Sequence, residues 1–292
     1  MAVATLIHPR VLCYHRIGGP LELGVTRVGR SVFARQMTAL AKAGWKTLTL
    51  HEYACRRADV PTCNQFLLTF DDGYESLAQH AYPVLAELGF TATTFLITDY
   101  VGKTNTWDVR YTWNRLRHLS WNEIERWQAR GFNFASHGCT HRRLTWLDRA
   151  ALDSELRGSR DLLVARLGPD AGKAIAYPFG AVSPLVQQAA RAAGYELGFG
   201  GVRSDGAALN RPRIPVYSWD VLDVPFGLRD DLEGALGRIL AHAANRCAVG
   251  TSVMNLVRGQ RDAVSGTTVP RTAHHTPLTQ RIARPQESAA DV

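Results

Sequence analysis

The chain alternates short apolar segments with amphipathic helical segments along most of its length. Helical spacing of apolar residues recurs at 77–88, 121–130, 184–193 and 229–243, and between Asp148 and Gly168. Strands are predicted at 11–17, 45–50, 66–70, 91–97, 132–136, 174–177, 195–199 and 213–217. Continuous apolar strands that alternate with helices are typical of a parallel sheet covered by helices. About seven or eight such units favour a closed (β/α) barrel, with an open doubly wound sheet as the alternative.

The first predicted helix shows how its boundaries are inferred from single residues. Ser31 can cap it, and Phe33, Met37 and Leu40 then recur at helical spacing up to Gly44. The pattern therefore predicts that this helix starts at Ser31.

Length and composition set the domain organisation. The chain has 292 residues, 46% of them hydrophobic, which is enough for one large core or two modest ones. The hydrophobic periodicity stops near Gly259. We therefore predict a barrel domain over residues 1–258 and a mobile tail of low order over 259–292.

The compartment is predicted from what the sequence lacks. No apolar run reaches the roughly 18 residues of a membrane-spanning helix, and the N-terminus does not have the pattern of a signal peptide. Five cysteines without a CxxC pair are typical of reduced thiols: Cys13, Cys55, Cys63, Cys139 and Cys247. These features predict a cytoplasmic protein.

The formal net charge of +8 bears on partners. A basic surface favours weak contact with an anionic membrane surface or an anionic glycan. Zinc-finger, helix-turn-helix and P-loop signatures are absent from the sequence, so we expect no specific nucleic acid partner. The sequence carries no signal for an oligomeric state.

Three predicted strands end in unusual motifs, and in parallel α/β folds such strand ends meet at one edge. The motifs are FDDG with Asp71 and Asp72, SHGCTH with His137 and His141, and YPFG with Phe179. Two imidazoles and one carboxylate are a usual ligand set of a catalytic zinc site. The aspartate pair supplies that carboxylate and leaves a second one, which can accept a proton from a water molecule that the metal activates.

Each motif alone has a structural interpretation. DDG after a strand is an ordinary turn signal, a histidine pair often lies on the surface, and YPFG is a tight turn. The combination favours a functional site, because all three motifs fall at the same end of similar strands and together complete a metal site with a base.

The ordered trio TFDDGY, SHGCTH and AYPFG resembles the motifs of the polysaccharide deacetylase family (NodB-homology domain, carbohydrate esterase family 4). The segments LCYHRIG and LNRPRIPVY are similar too, and the resemblance covers residues 10–225. It implies a distorted (β/α) barrel of about seven strands. It also implies metal-dependent removal of acetyl groups from an N-acetylhexosamine unit of a glycan or glycoconjugate.

The resemblance also implies roles for single residues. Asp71 would be the general base, and Asp72, His137 and His141 would hold a divalent metal, most often zinc in this family, with Co²⁺ or Ni²⁺ as alternatives. The backbone N–H of Phe179 would contact the oxyanion of the reaction.

Two positions depart from the family pattern. Ala176 stands where the third motif often carries an arginine that orients the base. The histidine that acts as general acid is not placed by any motif: His242 lies in a predicted helix, and His274 and His275 lie in the tail. His15 ends the first strand and should face the same rim, so it is assigned the role of acid, with a buried structural histidine as the alternative.

Substrate contacts are expected from the aromatic and amide-rich loop at 100–120 and from the third motif. Trp107 would stack on a sugar, Asn105 would bond its hydroxyl groups and Tyr177 would contact substrate; packing of the loop on the barrel is the alternative for the tryptophan.

Two further functions share these residues. One is hydrolysis of another linear or cyclic amide on the same fold. The other is a catalytically degraded carbohydrate-binding module, which Ala176 favours and the intact set of Asp71, Asp72, His137 and His141 disfavours.

Overall fold

A computed structural model describes residues 8–20, 24–56, 64–107 and 115–237, together with 239, 240 and 243. The strands are β1 Arg10–Tyr14, β2 Arg16–Ile17, β3 Arg27–Val28, β4 Lys46–Thr47, β5 Gln65–Phe70, β6 Thr93–Leu96, β7 Asn133–Ser136, β8 Ala174–Ala176, β9 Leu197–Phe199 and β10 Ile214–Pro215. The helices are α1 Arg30–Lys42, α2 Leu50–Ala54, α3 Ser76–His80, α4 Tyr82–Glu87, α5 Trp121–Gln128, α6 Arg149–Leu167 and α7 Pro184–Ala193. Helical backbone recurs at 232–237 and 239–240.

Eight strands form one curled parallel sheet in the order β10-β1-β5-β6-β7-β8-β9, with β4 beside β5. β10 pairs with β1 through Ile214 and Leu12, and Arg211, just before β10, forms a parallel bridge with Phe199 of β9. The segment 211–215 therefore bonds to both ends of the sheet. This geometry confirms the distorted (β/α) barrel of about seven strands and not the open doubly wound sheet.

Most predicted elements are confirmed, with differences at their boundaries. The prediction that Ser31 caps the first helix is wrong, because α1 begins at Arg30 behind Gly29, and no side chain caps it. The strand predicted at 45–50 ends at Thr47, because Thr49 and Glu52 form a capping box that starts α2. The helix predicted at 77–88 is two helices, since Pro83 cannot donate a backbone hydrogen bond to the preceding turn.

Side-chain alternation along the strands directs chemistry-bearing residues into the barrel. In β5, Phe66, Leu68 and Phe70 pack in the cluster with α1, α3 and α4, whereas Leu67 belongs to a second cluster. That second cluster collects the inward residues of six strands: Val11, Leu67, Phe95, Ala135, Ala174, Ala176, Leu197 and Phe199. Because side chains two residues apart share a face, β5 continued beyond its end points Asp71 to the same interior.

Asp220 is a buried carboxyl group outside this interior. It is 3% exposed, its Oδ2 accepts a hydrogen bond from the N–H of Phe226 at 3.0 Å, and its buried Oδ1 has no partner among the described residues. Burial raises the pKa of Asp220 to about 7, although the N–H of Phe226 opposes this. The folded protein therefore holds this proton more tightly than the unfolded chain, whose aspartates have a pKa near ~3.9.

We expect Asp220→Asn to raise the free energy of unfolding by ~1–3 kcal/mol at about pH 8 and by little at about pH 4, as measured by urea denaturation. Stability from a raised aspartate pKa is present below the unfolded pKa and is lost as pH rises through the folded pKa, so the amide gains only at high pH. Asp223→Asn, at an exposed ion pair with Arg35, is the control and should change stability little. An equal gain at both pH values would contradict this account.

Part of the predictions about compartment, cysteines and tail concerns residues that the structure describes. No helix in the described ranges has both the length and the apolar content of a transmembrane span. The described cysteines Cys13, Cys55 and Cys139 are free thiols. Outside the described residues lie Cys63, Cys247, His242, His274, His275 and the tail at 259–292. The cytoplasmic location, the domain boundary and the contact with anionic surfaces stay predictions.

Candidate active site

The three motifs meet at the carboxyl ends of neighbouring strands. Asp71 and Asp72 follow β5, His137 follows β7, and the turn at Pro178–Gly180 follows β8. The four polar side chains are almost fully buried: Asp71 4%, Asp72 5%, His137 2% and His141 8% exposed. Buried groups of this kind require partners, and here they are partners to one another.

Asp72, His137 and His141 form a compact ligand set. Their candidate ligand atoms all lie within 4.8 Å of one another. Oδ1 of Asp72 is 3.5 Å from Nε2 of His137 and 3.4 Å from Nε2 of His141. The Nδ1 of His137 is 2.8 Å from the carbonyl oxygen of Ala176, so it donates there and Nε2 faces the site as an acceptor.

The protonation of these histidines suits a metal. Burial lowers the pKa of His137, which the nearby Asp71 carboxylate partly opposes. Burial, with His137 beside it, also lowers the pKa of His141 well below its usual value. Both rings are therefore neutral near neutral pH, and two neutral imidazoles with one carboxylate fit a divalent cation such as zinc.

Strained backbone marks the same place. Among the described residues, four that are not glycine have a positive φ, and three of them lie here: Asp72 at 68°, His141 at 62° and Phe179 at 60°. Such conformations cost about 1–3 kcal/mol each and cluster at functional sites. The turn at Asp72 continues into Gly73, where a Cβ would meet Leu96 at 2.6 Å.

Asp71 is held by a buried arginine. Nη1 and Nη2 of Arg213 donate to its two carboxylate oxygens at 2.6 and 2.7 Å, and the Cys13 thiol lies 3.4 Å from Oδ2. Burial alone would raise the pKa of Asp71, but Arg213 and His137 outweigh it and hold the pKa below its usual range. Asp71 is therefore ionised, fixed in orientation and 3.9 Å from Nε2 of His137.

Arg213 was not among the predicted site residues, because the family pattern places this arginine at position 176. Ala176 is fully buried in the barrel wall. Arg213 precedes β10, and β10 pairs with β1, which in turn pairs with β5, so the guanidinium reaches Asp71 from two strands away in the sheet. The segment RPRIPVY contained the signal, but linking it to Asp71 required the strand order.

His15 lies beside the base, as its place at the end of β1 predicts. Ligand-type atoms of Cys13, His15 and Asp71 are within 4.8 Å of one another. The buried Nδ1 of His15 has no hydrogen-bond partner in the described part of the chain. Burial lowers the pKa of His15 to about 4, which Asp71 only partly opposes. The position agrees with a role in proton transfer, and the role itself stays a prediction.

Trp107 and Phe179 border the second histidine. The ring centroid of Trp107 is 3.8 Å from that of His141, and that of Phe179 is 4.7 Å away. Nε1 of Trp107 donates to Nε2 of His118 at 3.4 Å, and Nδ1 of His118 lies 2.7 Å from the carbonyl oxygen of Asp72. His118, which the sequence analysis did not single out, thus links the loop that carries Trp107 to the turn that carries Asp72.

Two residues expected at the substrate are buried instead. Asn105 is 3% exposed, and its amide donates to the Tyr74 hydroxyl at 3.1 Å. Tyr177 is 0% exposed, and its hydroxyl donates to the carbonyl oxygen of Leu209 at 2.9 Å. Both side chains therefore form part of the walls of the site, and their direct contact with a sugar stays a prediction.

Comparison with known proteins finds similarity to polysaccharide deacetylases. The profile described as polysaccharide deacetylase matches residues 59–198. YxkH of Bacillus subtilis, named as a polysaccharide deacetylase, is 30% identical over 190 residues, 64% of this chain and 62% of that protein. The poly-beta-1,6-N-acetyl-D-glucosamine N-deacetylase of Staphylococcus aureus is 28% identical over 185 residues, 59% of this chain and 60% of that protein. The match thus spans less than two thirds of either relative.

Solved structures share the fold. A deacetylase of Streptococcus pyogenes, PplD, in complex with acetate, has a TM-score of 0.65 at 22% identity. The match covers 74% of this chain and 95% of PplD. IcaB of Ammonifex degensii has a TM-score of 0.59 at 24% identity and covers 82% of this chain and 97% of its own. Residues 59–198 are therefore similar to the polysaccharide deacetylase family, and the two solved structures show that the fold is shared.

Proposed function

We propose that this protein is a metal-dependent N-deacetylase that acts on an N-acetylhexosamine unit of a glycan or glycoconjugate. The observation that carries the proposal is a buried Asp72–His137–His141 ligand set directly beside an ionised carboxylate, Asp71, that Arg213 fixes. The name of the Staphylococcus aureus relative supports the sugar class.

Asp72, His137 and His141 would hold the metal, with zinc favoured by the nitrogen-rich donor set and Co²⁺ or Ni²⁺ as alternatives. A divalent cation there supplies Lewis acidity, which lowers the pKa of water and polarises an acetyl carbonyl group. The protein contributes neutral imidazoles and a preset tautomer at His137, so no proton has to leave these rings before the ion is bound.

The other residues handle protons and charge. Asp71 accepts a proton from the attacking water, and the N–H of Phe179 stabilises the oxygen of the tetrahedral intermediate. His15, which is next to Asp71 and neutral at rest, would take up the proton that Asp71 has accepted and donate it to the leaving nitrogen. The C–N bond then breaks, and the products are acetate and a free amine.

Arg213 also weakens the case for a degraded binding module. The absence of an arginine at position 176 favoured that alternative. Arg213, which precedes β10, donates two hydrogen bonds to Asp71 instead. Hydrolysis of a different amide remains an outcome of the test rather than a second proposal.

The test is acetate release by the zinc-loaded protein from chitooligosaccharides and from β-1,6-linked N-acetylglucosamine oligomers. We expect one free amine for each acetate, loss of activity with a chelator, and recovery with Zn²⁺, Co²⁺ or Ni²⁺. Asp72→Asn should lose the metal and the activity together.

Each other outcome has a distinct meaning. A wild-type protein that binds no divalent metal would overturn the proposal. Metal and sugar binding without release from any acyl substrate would establish the binding module, and release only from amides that are not sugars would establish the other hydrolase.

A further inference from the structure

Glu155 is a buried carboxylate that the proposed chemistry does not use. It lies in the second turn of α6 and is 6% exposed. Glutamate is rarely buried unless hydrogen-bonded or paired, because desolvation of the charge is expensive. Its hydrogen-bond partners therefore indicate why it is there.

Those partners all come from the loop between the two histidines. The backbone N–H groups of Cys139 and Thr140 donate to Oε2 of Glu155 at 2.8 and 3.0 Å. The hydroxyl group of Thr140 donates to Oε1. One side chain thus collects three donors from two consecutive residues, and hydrogen bonds to an ionised acceptor are stronger than neutral ones.

The loop is shaped to receive this carboxylate. Gly138 has a φ of 80°, and a Cβ on it would lie 3.1 Å from Oε2 of Glu155. Gly158, one turn further along α6, leaves room for the Cys139 sulfur, which a Cβ there would approach to 3.0 Å. Two glycines therefore permit the loop and the helix to come this close.

A second link ties the start of the loop to the same helix. The hydroxyl group of Ser136, the last residue of β7, donates to Ser159 Oγ at 2.8 Å and accepts from the N–H of Gly138 at 3.1 Å. Ser159 donates in turn to the carbonyl oxygen of Glu155 at 2.8 Å. α6 therefore contacts this loop at two places: Ser159 contacts it next to His137, and Glu155 contacts it next to His141.

We propose that Glu155 is the positioning residue of the histidine loop: by binding Cys139 and Thr140, it fixes His137 and His141 at the separation that the metal requires. The proposal rests on the proposed metal site. His141 itself has a strained φ of 62°, so without Glu155 the loop can relax and carry one imidazole away from the other.

The test measures metal affinity in the folded protein by competition with a chromophoric chelator. We expect Glu155→Ala to bind Zn²⁺ about 10–100-fold more weakly, the usual effect of losing a residue that orients metal ligands. Glu155→Gln keeps one oxygen acceptor for the two N–H groups, so it should stay closer to wild type. Thr140→Val removes only the hydroxyl donor and should have the smallest effect.

The matched control is Glu123→Ala, which removes a helix-capping carboxylate from α5, away from the site. It should lower the urea midpoint of unfolding and leave the zinc affinity unchanged. If Glu155→Ala is folded and binds zinc as tightly as wild type, or if Gln restores nothing, the inference is overturned while the proposed function stands. A wild-type protein without metal affinity would overturn the proposed function and this inference with it.

Discussion

Asp71→Asn is expected to lower kcat for acetate release by about 10²–10⁴-fold while the protein keeps its metal. Asparagine has nearly the same shape as aspartate but cannot accept a proton from water. Asp71 is outside the set of three candidate ligands, so zinc content measured by elemental analysis should stay at the wild-type value. The measurement is therefore a pair, turnover and bound zinc, on the same preparation.

The substitution also leaves the buried Arg213 without its counter-charge, so folding has to be checked by circular dichroism at the assay temperature. Asp72→Asn is the matched control, because it makes the same chemical change one residue further on, at a candidate metal ligand. This variant should lose the bound metal and, with it, the turnover. A folded Asp71→Asn protein whose kcat is within tenfold of wild type would show that the base is elsewhere.

The sequence predicted the candidate metal ligands and base better than it predicted the residues that hold them in place. Asp71, Asp72, His137 and His141 could be grouped because each follows a buried parallel strand, and parallel strands end at one edge. Only the order of strands and helices along the chain is needed for this inference. That order predicts the barrel and the ligand set, but not the distances within the site.

Arg213 and His118 could not be grouped in this way. Arg213 reaches Asp71 only because β10 pairs with β1, a contact between strands far apart in the sequence that local periodicity does not encode. His118 reaches Asp72 from a loop, where no repeating pattern fixes the side-chain direction. The burial of Asn105 and Tyr177 could not be predicted for a related reason, since polarity does not distinguish a rim residue from a hydrogen-bonded residue in the wall.

Arg213→Leu is expected to lower the free energy of unfolding by about 3–5 kcal/mol and to reduce turnover strongly. Removal of one partner leaves a buried, uncompensated carboxylate at Asp71, and this accounts for the loss of stability. The loss of turnover follows because Asp71 is no longer oriented by two hydrogen bonds. Urea denaturation and acetate release at a temperature where the variant is folded measure the two effects.

Arg213→Lys keeps the positive charge but cannot form the bidentate contact with Asp71, so its losses of stability and of turnover should be intermediate. The decisive control is the double variant Ala176→Arg with Arg213→Leu, which moves the guanidinium to the position where the family often carries it. Recovery of turnover in the double variant would show that Asp71 needs an arginine beside it, whichever strand supplies it. If Arg213→Leu alone retained both stability and turnover, the ion pair would have no part in holding the base.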